Sequence, residues 1–254
     1  MTPPAHRPRP WLGPVSNDKR FVVELESKHG RPECALECGD FSVRRSASLR
    51  EHAGSANLLK EMYSRKGYST DGLIGMPRRE TTVTLDAHND AGVVATVTVR
   101  LDSRETGLFA DALYPREIAA FRAAGSKVCE VCKLAVDPRF GSRELMASLF
   151  QLAYLYSHVI YCATDVFIEV NPRHAGFYKR MLGFHEIGGL RVCPRVNAPA
   201  LLLHVELDYM RQQIALHGGR GATSNDKSLY PYFLACGAEA SLDRALRARA
   251  RRHH

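Results

Sequence analysis

One acid stands out in the chain: Glu130, inside the apolar, β-branched run KVCEVCKLAV. A carboxylate placed there must leave water, which is costly unless it is paired or lines a cleft. Perturbed acids concentrate at functional sites, which makes Glu130 a candidate for chemistry. The bland alternative is an exposed strand-edge glutamate, or one paired with Arg100 or Lys133. Strand alternation puts Glu130, Cys132 and Leu134 on one face and Val131 and Lys133 on the other.

Two other stretches could take part. The turn PRFGSRE holds Phe140, Gly141, Ser142 and Arg143. Free N–H groups at a helix start favour phosphate. A pyrophosphate cradle normally uses several glycines, and this turn has only Gly141, so an ordinary β-α turn is the stronger reading. In NPRHAGFYKRMLGF, Tyr178 follows His174 by four residues and shares its helix face. Tyr178 is a candidate proton donor or simply an amphipathic surface side chain. Cys129 and Cys132 suggest half a metal site, but residues three apart in a strand point to opposite faces. Cys34 and Cys38 lack the spacing to complete one. No metal or bound cofactor is expected.

The elements that must position these residues are legible in turn. Phe41 to Arg45 reads as a strand, and Phe21 to Leu25 as a strand or an extended lead-in. Ser48 to Tyr63 reads as a helix with Leu49, Ala53, Ala56 and Leu59 inward. Thr81 to Leu85 and Gly92 to Leu101 flank the turn cluster DAHNDA and form a hairpin. Pro115 to Ala124 is a short helix and Val128 to Val136 a strand. Ser142 caps a helix reaching about Ser157, with Glu144 at its positive end. Asp165 to Val170 is a strand. Asn171, Pro172 and Gly183 punctuate the next helix as N-cap, first turn and stop. Ala200 to Leu207 is the last clear strand. Buried helix plus buried strand is also the better account of the uncharged stretch Leu145 to Ala163, which holds Gln151 and His158 and runs straight into Asp165.

Charge narrows the partners. The net charge is +8, yet residues 1–20 carry +3 and residues 242–254 carry +4, so the body is nearly neutral. A nucleic-acid-binding face on the folded body is therefore not expected. Seven cysteines and no secretory apolar segment point to a reducing cytoplasm. The domain reading is a disordered arm over 1–20, a catalytic body over 21–215, and a linker with a C-terminal extension over 216–254. LYPYFLACG and the Arg-rich helix from Ser241 offer contact with a partner, a substrate tunnel of the body or a membrane surface, and the sequence does not choose.

Taken together, VRLDSRETGLFADALYPREIAAFRAAGSKVCEVCKLAVDP, NPRHAGFYKRMLGF and LLLHVEL, within about residues 41–210, resemble the GNAT acyltransferases. The pattern is most similar to their long-chain N-acyl amino acid synthase branch, relatives of the acyl-homoserine lactone synthases. The resemblance implies an α/β fold of the GNAT type, with a mixed central sheet flanked by helices. It implies transfer of a fatty acyl group from an acyl carrier protein to the amine of an amino acid. Glu130 stands at the family's strand acid, Arg100 on a strand that carries a basic residue, and Lys133 where an arginine is usual.

Amide formation from a thioester needs an amine freed of its proton, and Glu130 is the expected base. The oxyanion needs preorganised donors, for which N–H groups around Leu134 to Val136 are candidates. Tyr178 would assist the leaving thiolate. Arg100 or Lys133 would hold the acceptor's carboxylate. Asn171 and His174 complete the expected binding set. A turn with one glycine between Arg139 and Arg143 suits the single phosphate of a phosphopantetheine arm better than coenzyme A. The alternatives are an acetyl-coenzyme A-dependent acetyltransferase, a lactone synthase using S-adenosylmethionine, and a catalytically silent binding module.

Overall fold

The computed structural model describes residues 19–24, 33–70, 81–235, 237 and 239–244. The described strands are β1 (Lys19–Glu24), β2 (Glu33–Cys38), β3 (Phe41–Arg45), β4 (Thr82–Asn89), β5 (Gly92–Leu101), β6 (Val128–Val136), β7 (Asp165–Val170), β8 (His185–Cys193) and β9 (Ala198–Glu206). They form one nine-stranded sheet in the order β1-β2-β3-β4-β5-β6-β7-β9-β8. All neighbours are antiparallel except β6 and β7. A parallel pair needs a crossover, and α3 (Arg143–Tyr154) with its π-helical extension Leu155–Ile160 supplies it.

The two faces of the sheet differ in chemistry. Val83, Leu85, Ala87, Ala95, Val97 and Val99 are fully buried on the face covered by α3. Helices α4 (Pro172–Leu182) and α5 (Leu207–His217) pack on that same side. The other face presents Thr84, Asp86, Thr96, Thr98 and Arg100, and α1 (Leu49–Ser64) lies across it. This polar lane decides which side of α1 turns inward. Ser55, Leu58 and Leu59 are buried, Ser55 Oγ donates to Asp86 Oδ2 at 2.7 Å, and Leu49 is 67% exposed. Of the expected set Leu49, Ala53, Ala56 and Leu59, only Leu59 is buried, so the inward stripe is rotated from the one expected. Helix α2 (Pro115–Ala123) covers the same face further along, with Phe121 against Phe167 and His204.

Local signals hold where they were strongest. Ser48 caps α1 with a full capping box through Glu51. Ser142 caps α3 by accepting from Leu145 N at 3.1 Å. Asn171 caps α4, and Gly183 ends it at φ +78°. Other elements were not anticipated. Strand β2 contains two cysteines, β8 is broken by two register shifts, and β4 runs on through the supposed turn to Asn89. Helix α5 follows β9 without a break, burying Leu207, Met210 and Ile214.

The ends differ as well. Lys19 and Arg20, assigned to an arm, already pair with Cys38 and Glu37, while residues 1–18 lie outside the described residues. Residues 218–228, read as a linker, lead into residues 229–235, the described part of LYPYFLACG, which is strapped to the body. Leu229 N donates to Met181 O, Tyr230 Oη donates to Leu182 O, and Gln151 bonds both main-chain groups of Leu234. Residues 239–244 are helical with Leu242 buried, and the arginines from 247 onward lie outside the described residues.

Candidate active site

The β6–β7 ladder is short. It pairs Val128 with Asp165, Cys129 with Val166 and Glu130 with Phe167, then stops. Both strands continue, so they diverge and a cleft opens between them. A bulge in β6 reinforces the split: Lys133 and Leu134 together face Val97, and Lys133 sits at φ +53°. The bulge also resets the alternation. Ala135, not Leu134, shares the α1 face with Glu130 and Cys132, and Leu134 turns toward the α3 side. The expected face assignment therefore fails at Leu134, because one inserted residue flips everything after it.

The cleft is a cavity of about 450 Å³, within the range of small-molecule sites. Its walls come from Met62, Tyr63, Arg65 and Lys66 near the end of α1, from β6 between Glu130 and Val136, and from Ile168 to Asn171 after the split. His174 and Tyr178 of α4 and the turn joining β8 to β9 close it. Beyond the end of the ladder, the β6 edge has no strand partner on this side, so its main-chain groups border the cavity.

Glu130 is fully buried and lines this cavity. Its Oε2 accepts from Phe109 N at 2.6 Å and from Ala110 N at 3.3 Å. Its Oε1 has no partner among the described residues. Burial pushes its pKa up to about 7; Arg195 opposes the rise and Glu169 adds to it. The result is a carboxyl poised near neutrality with one oxygen held and the other unused.

Phe109 opens a short 3-10 turn, Phe109–Ala112, and organises the site. Its N–H holds Glu130, and its carbonyl accepts from Arg195 Nη1 at 2.5 Å. Three cations surround its ring: Arg100 at 4.1 Å, Arg195 at 5.2 Å and Lys133 at 5.5 Å. The turn is itself pinned. Asp111 accepts from Leu108 N, and Arg122 bridges Asp111 to Asp102. Arg195 Nη2 also donates to Glu169 Oε2 at 2.8 Å, and that carboxylate is only 7% exposed.

The other expected residues divide into two groups. Lys133, Leu134, Val136, Asn171, His174 and Tyr178 all line the cavity. Tyr178 meets Phe150 and Phe184 edge-on, and burial raises its phenol above the ordinary range. His174 is lowered by burial and by Arg173 and Lys66. Arg100, Phe140, Gly141, Ser142 and Arg143 are not in the wall. Arg100 donates to the carbonyls of Gly107 and Thr106 and so holds the loop that carries Phe109. Ser142 is committed to its cap, and Arg143 stacks over Tyr232 at 6.0 Å. Three participants were missed: Phe109, Glu169 and Arg195. Glu169, an acid inside DVFIEV, carries the same signal as Glu130; Arg195 sits in a tight turn with no pattern around it.

The model of the N-acyl amino acid synthase FeeM matches residues 54–206. The chain belongs to this family of acyltransferases. The structure of FeeM, an N-acyl amino acid synthase from uncultured soil microbes, is 26% identical, with a TM-score of 0.60 over 68% of this chain and 94% of that one. An acyl-CoA N-acyltransferase from Pseudomonas aeruginosa is 16% identical, with a TM-score of 0.45 over 65% and 97%. Spermidine N-acetyltransferase from Vibrio cholerae, in complex with CoA and spermine, is 12% identical, with a TM-score of 0.46 over 68% and 99%. No curated sequence matches. The mixed nine-stranded sheet flanked by helices is the GNAT acyltransferase fold. Among the described residues, no helix is long and apolar enough to cross a membrane.

Proposed function

We propose that this acyltransferase moves a long-chain fatty acyl group from an acyl carrier protein thioester to the α-amine of an amino acid. The observation that carries the reading is Glu130, buried at the point where β6 and β7 part, with a carboxyl near neutrality and a free oxygen.

The chemistry follows from that placement. Glu130 Oε1 takes a proton from the acceptor amine, directly or through a water. The nitrogen attacks the thioester carbonyl, the C–N bond forms, and the oxyanion is met by main-chain donors on the unpaired edge of β6 between Leu134 and Val136. The C–S bond then breaks and the thiolate departs with a proton, for which Tyr178 is the nearby source. Apolar walls from Met62, Val131, Leu134, Ile168 and Val170 give an alkyl chain somewhere to lie.

Two features favour a carrier protein as donor. The turn before α3 has a single glycine, Gly141, where a pyrophosphate cradle normally uses several. Arg65 and Lys66 also give the cavity wall a basic section, which suits an acidic partner. The test is expression in a bacterium with mass spectrometry of lipid–amino acid conjugates, Glu130→Gln serving as control. Purified enzyme is then given acyl carrier protein and coenzyme A thioesters of one chain length. Equal or faster turnover with the coenzyme A ester overturns the donor assignment.

A further inference from the structure

The geometry points to Arg195 as the anchor for the acceptor's α-carboxylate, an inference that rests on the acyltransferase reading above. One residue already bridges the two groups concerned. The N–H of Phe109 donates to Glu130, and the carbonyl of the same residue accepts from Arg195. Base and guanidinium are therefore held about one amino-acid backbone apart. A free amino acid has the same polarity at the same spacing, an N–H donor and a carboxylate acceptor on one Cα. Lying beside Phe109, it would offer its amine to Glu130 Oε1, which has no partner among the described residues, and its carboxylate to Arg195.

Arg195 has capacity for this. A guanidinium carries five N–H donors, and only Phe109 O and Glu169 Oε2 are its hydrogen-bond partners among the described residues. Glu169 holds the guanidinium in place without using up its fork. Lys133 lies in the same wall, over the same ring, and adds positive charge where a carboxylate would sit. Arg100 is less suited, since it lies outside the cavity wall and is bonded to two loop carbonyls.

The experiment compares an amino acid with its decarboxylated amine as acceptors, using wild type, Arg195→Gln and Arg195→Lys. Wild type should favour the amino acid, and Arg195→Gln should erase roughly 10- to 100-fold of that preference, mainly through KM of the amino acid. Arg195 also lowers the pKa of Glu130, so the substitution shifts acylation of both acceptors by a common factor, and the ratio between them reads the anchor alone. Arg195→Lys should recover part of the preference. A loss that is equal for both acceptors overturns the anchor, because it marks a structural role. Should the variants fail to fold, arginine-directed modification of the wild-type protein, mapped by mass spectrometry, decides. Protection of Arg195 by the amino acid but not the amine supports the anchor, and equal labelling overturns it. No acylation of either acceptor by wild type overturns the functional reading itself.

Discussion

Replacing Glu130 by glutamine separates what this carboxyl does for chemistry from what it costs the fold. Its pKa stands at about 7, against 4.5 for an ordinary glutamate. Each unit of that difference is worth 1.36 kcal/mol, so the ionised side chain destabilises the folded protein by about 3 kcal/mol above neutral pH. The sign follows from proton count. The folded state binds the proton more tightly than the unfolded chain does, so stability falls as pH rises from about 4.5 to 7 and levels off beyond. The substituted glutamine would keep both main-chain bonds through its carbonyl oxygen and would not ionise. Its NH2 would lack a fixed acceptor, a penalty of about 1–3 kcal/mol that does not change with pH. The assay is denaturant unfolding of both proteins from pH 4.5 to 8.5. The stability of Glu130→Gln relative to wild type should improve by about 3 kcal/mol across that range, while kcat/KM drops by roughly 10²- to 10⁴-fold. Wild-type kcat/KM should rise with pH through a limb near 7 that the variant lacks. A stability difference that stays flat with pH would refute the buried-base argument, whatever the activity.

Three further outcomes follow from single sites. Asp86 is fully buried, and burial raises its pKa against the bond from Ser55. Asp86→Asn should therefore match wild type in acid and become the more stable protein as pH climbs above the ordinary carboxylate range, as read by melting at several pH values. Gly183 combines φ +78° with Tyr209 Cε1 only 2.4 Å from where a Cβ would stand. Gly183→Ala should cost about 1–2 kcal/mol by denaturant titration, mainly from left-handed backbone strain, since the half-exposed Tyr209 ring can swing aside. Gly141→Ala should leave KM for the acyl donor within about twofold, because the protein has room for the methyl and a one-glycine turn is not read as a pyrophosphate cradle. A large rise would restore a phosphate cradle there.

How much of the molecule could be read from its residues varies with the range of the interaction. Helix ends at Ser48, Ser142, Asn171 and Gly183 were legible because a cap is a bond between residues at most a few positions apart. The strand around Glu130 and the oddity of an acid within it were legible for the same reason, and so was the family. The inward stripe of α1 was not, since the sheet beneath presents Asp86 and threonines, and Ser55 outcompetes Leu49 for that surface. Nor was the bulge at Lys133 and Leu134, which depends on how β6 pairs with a strand some thirty residues earlier. Glu130's elevated pKa needed the coverage of the whole fold, and its partner donors come from a turn twenty positions away. Local chemistry was thus enough to place an acid in a buried strand, and the resemblance to a family supplied the acyltransferase. Long-range packing was needed to stand Phe109 and Arg195 beside it and to commit Arg100 to the loop instead. Desolvation and side-chain convergence arise between segments far apart in the chain, and no local pattern records them.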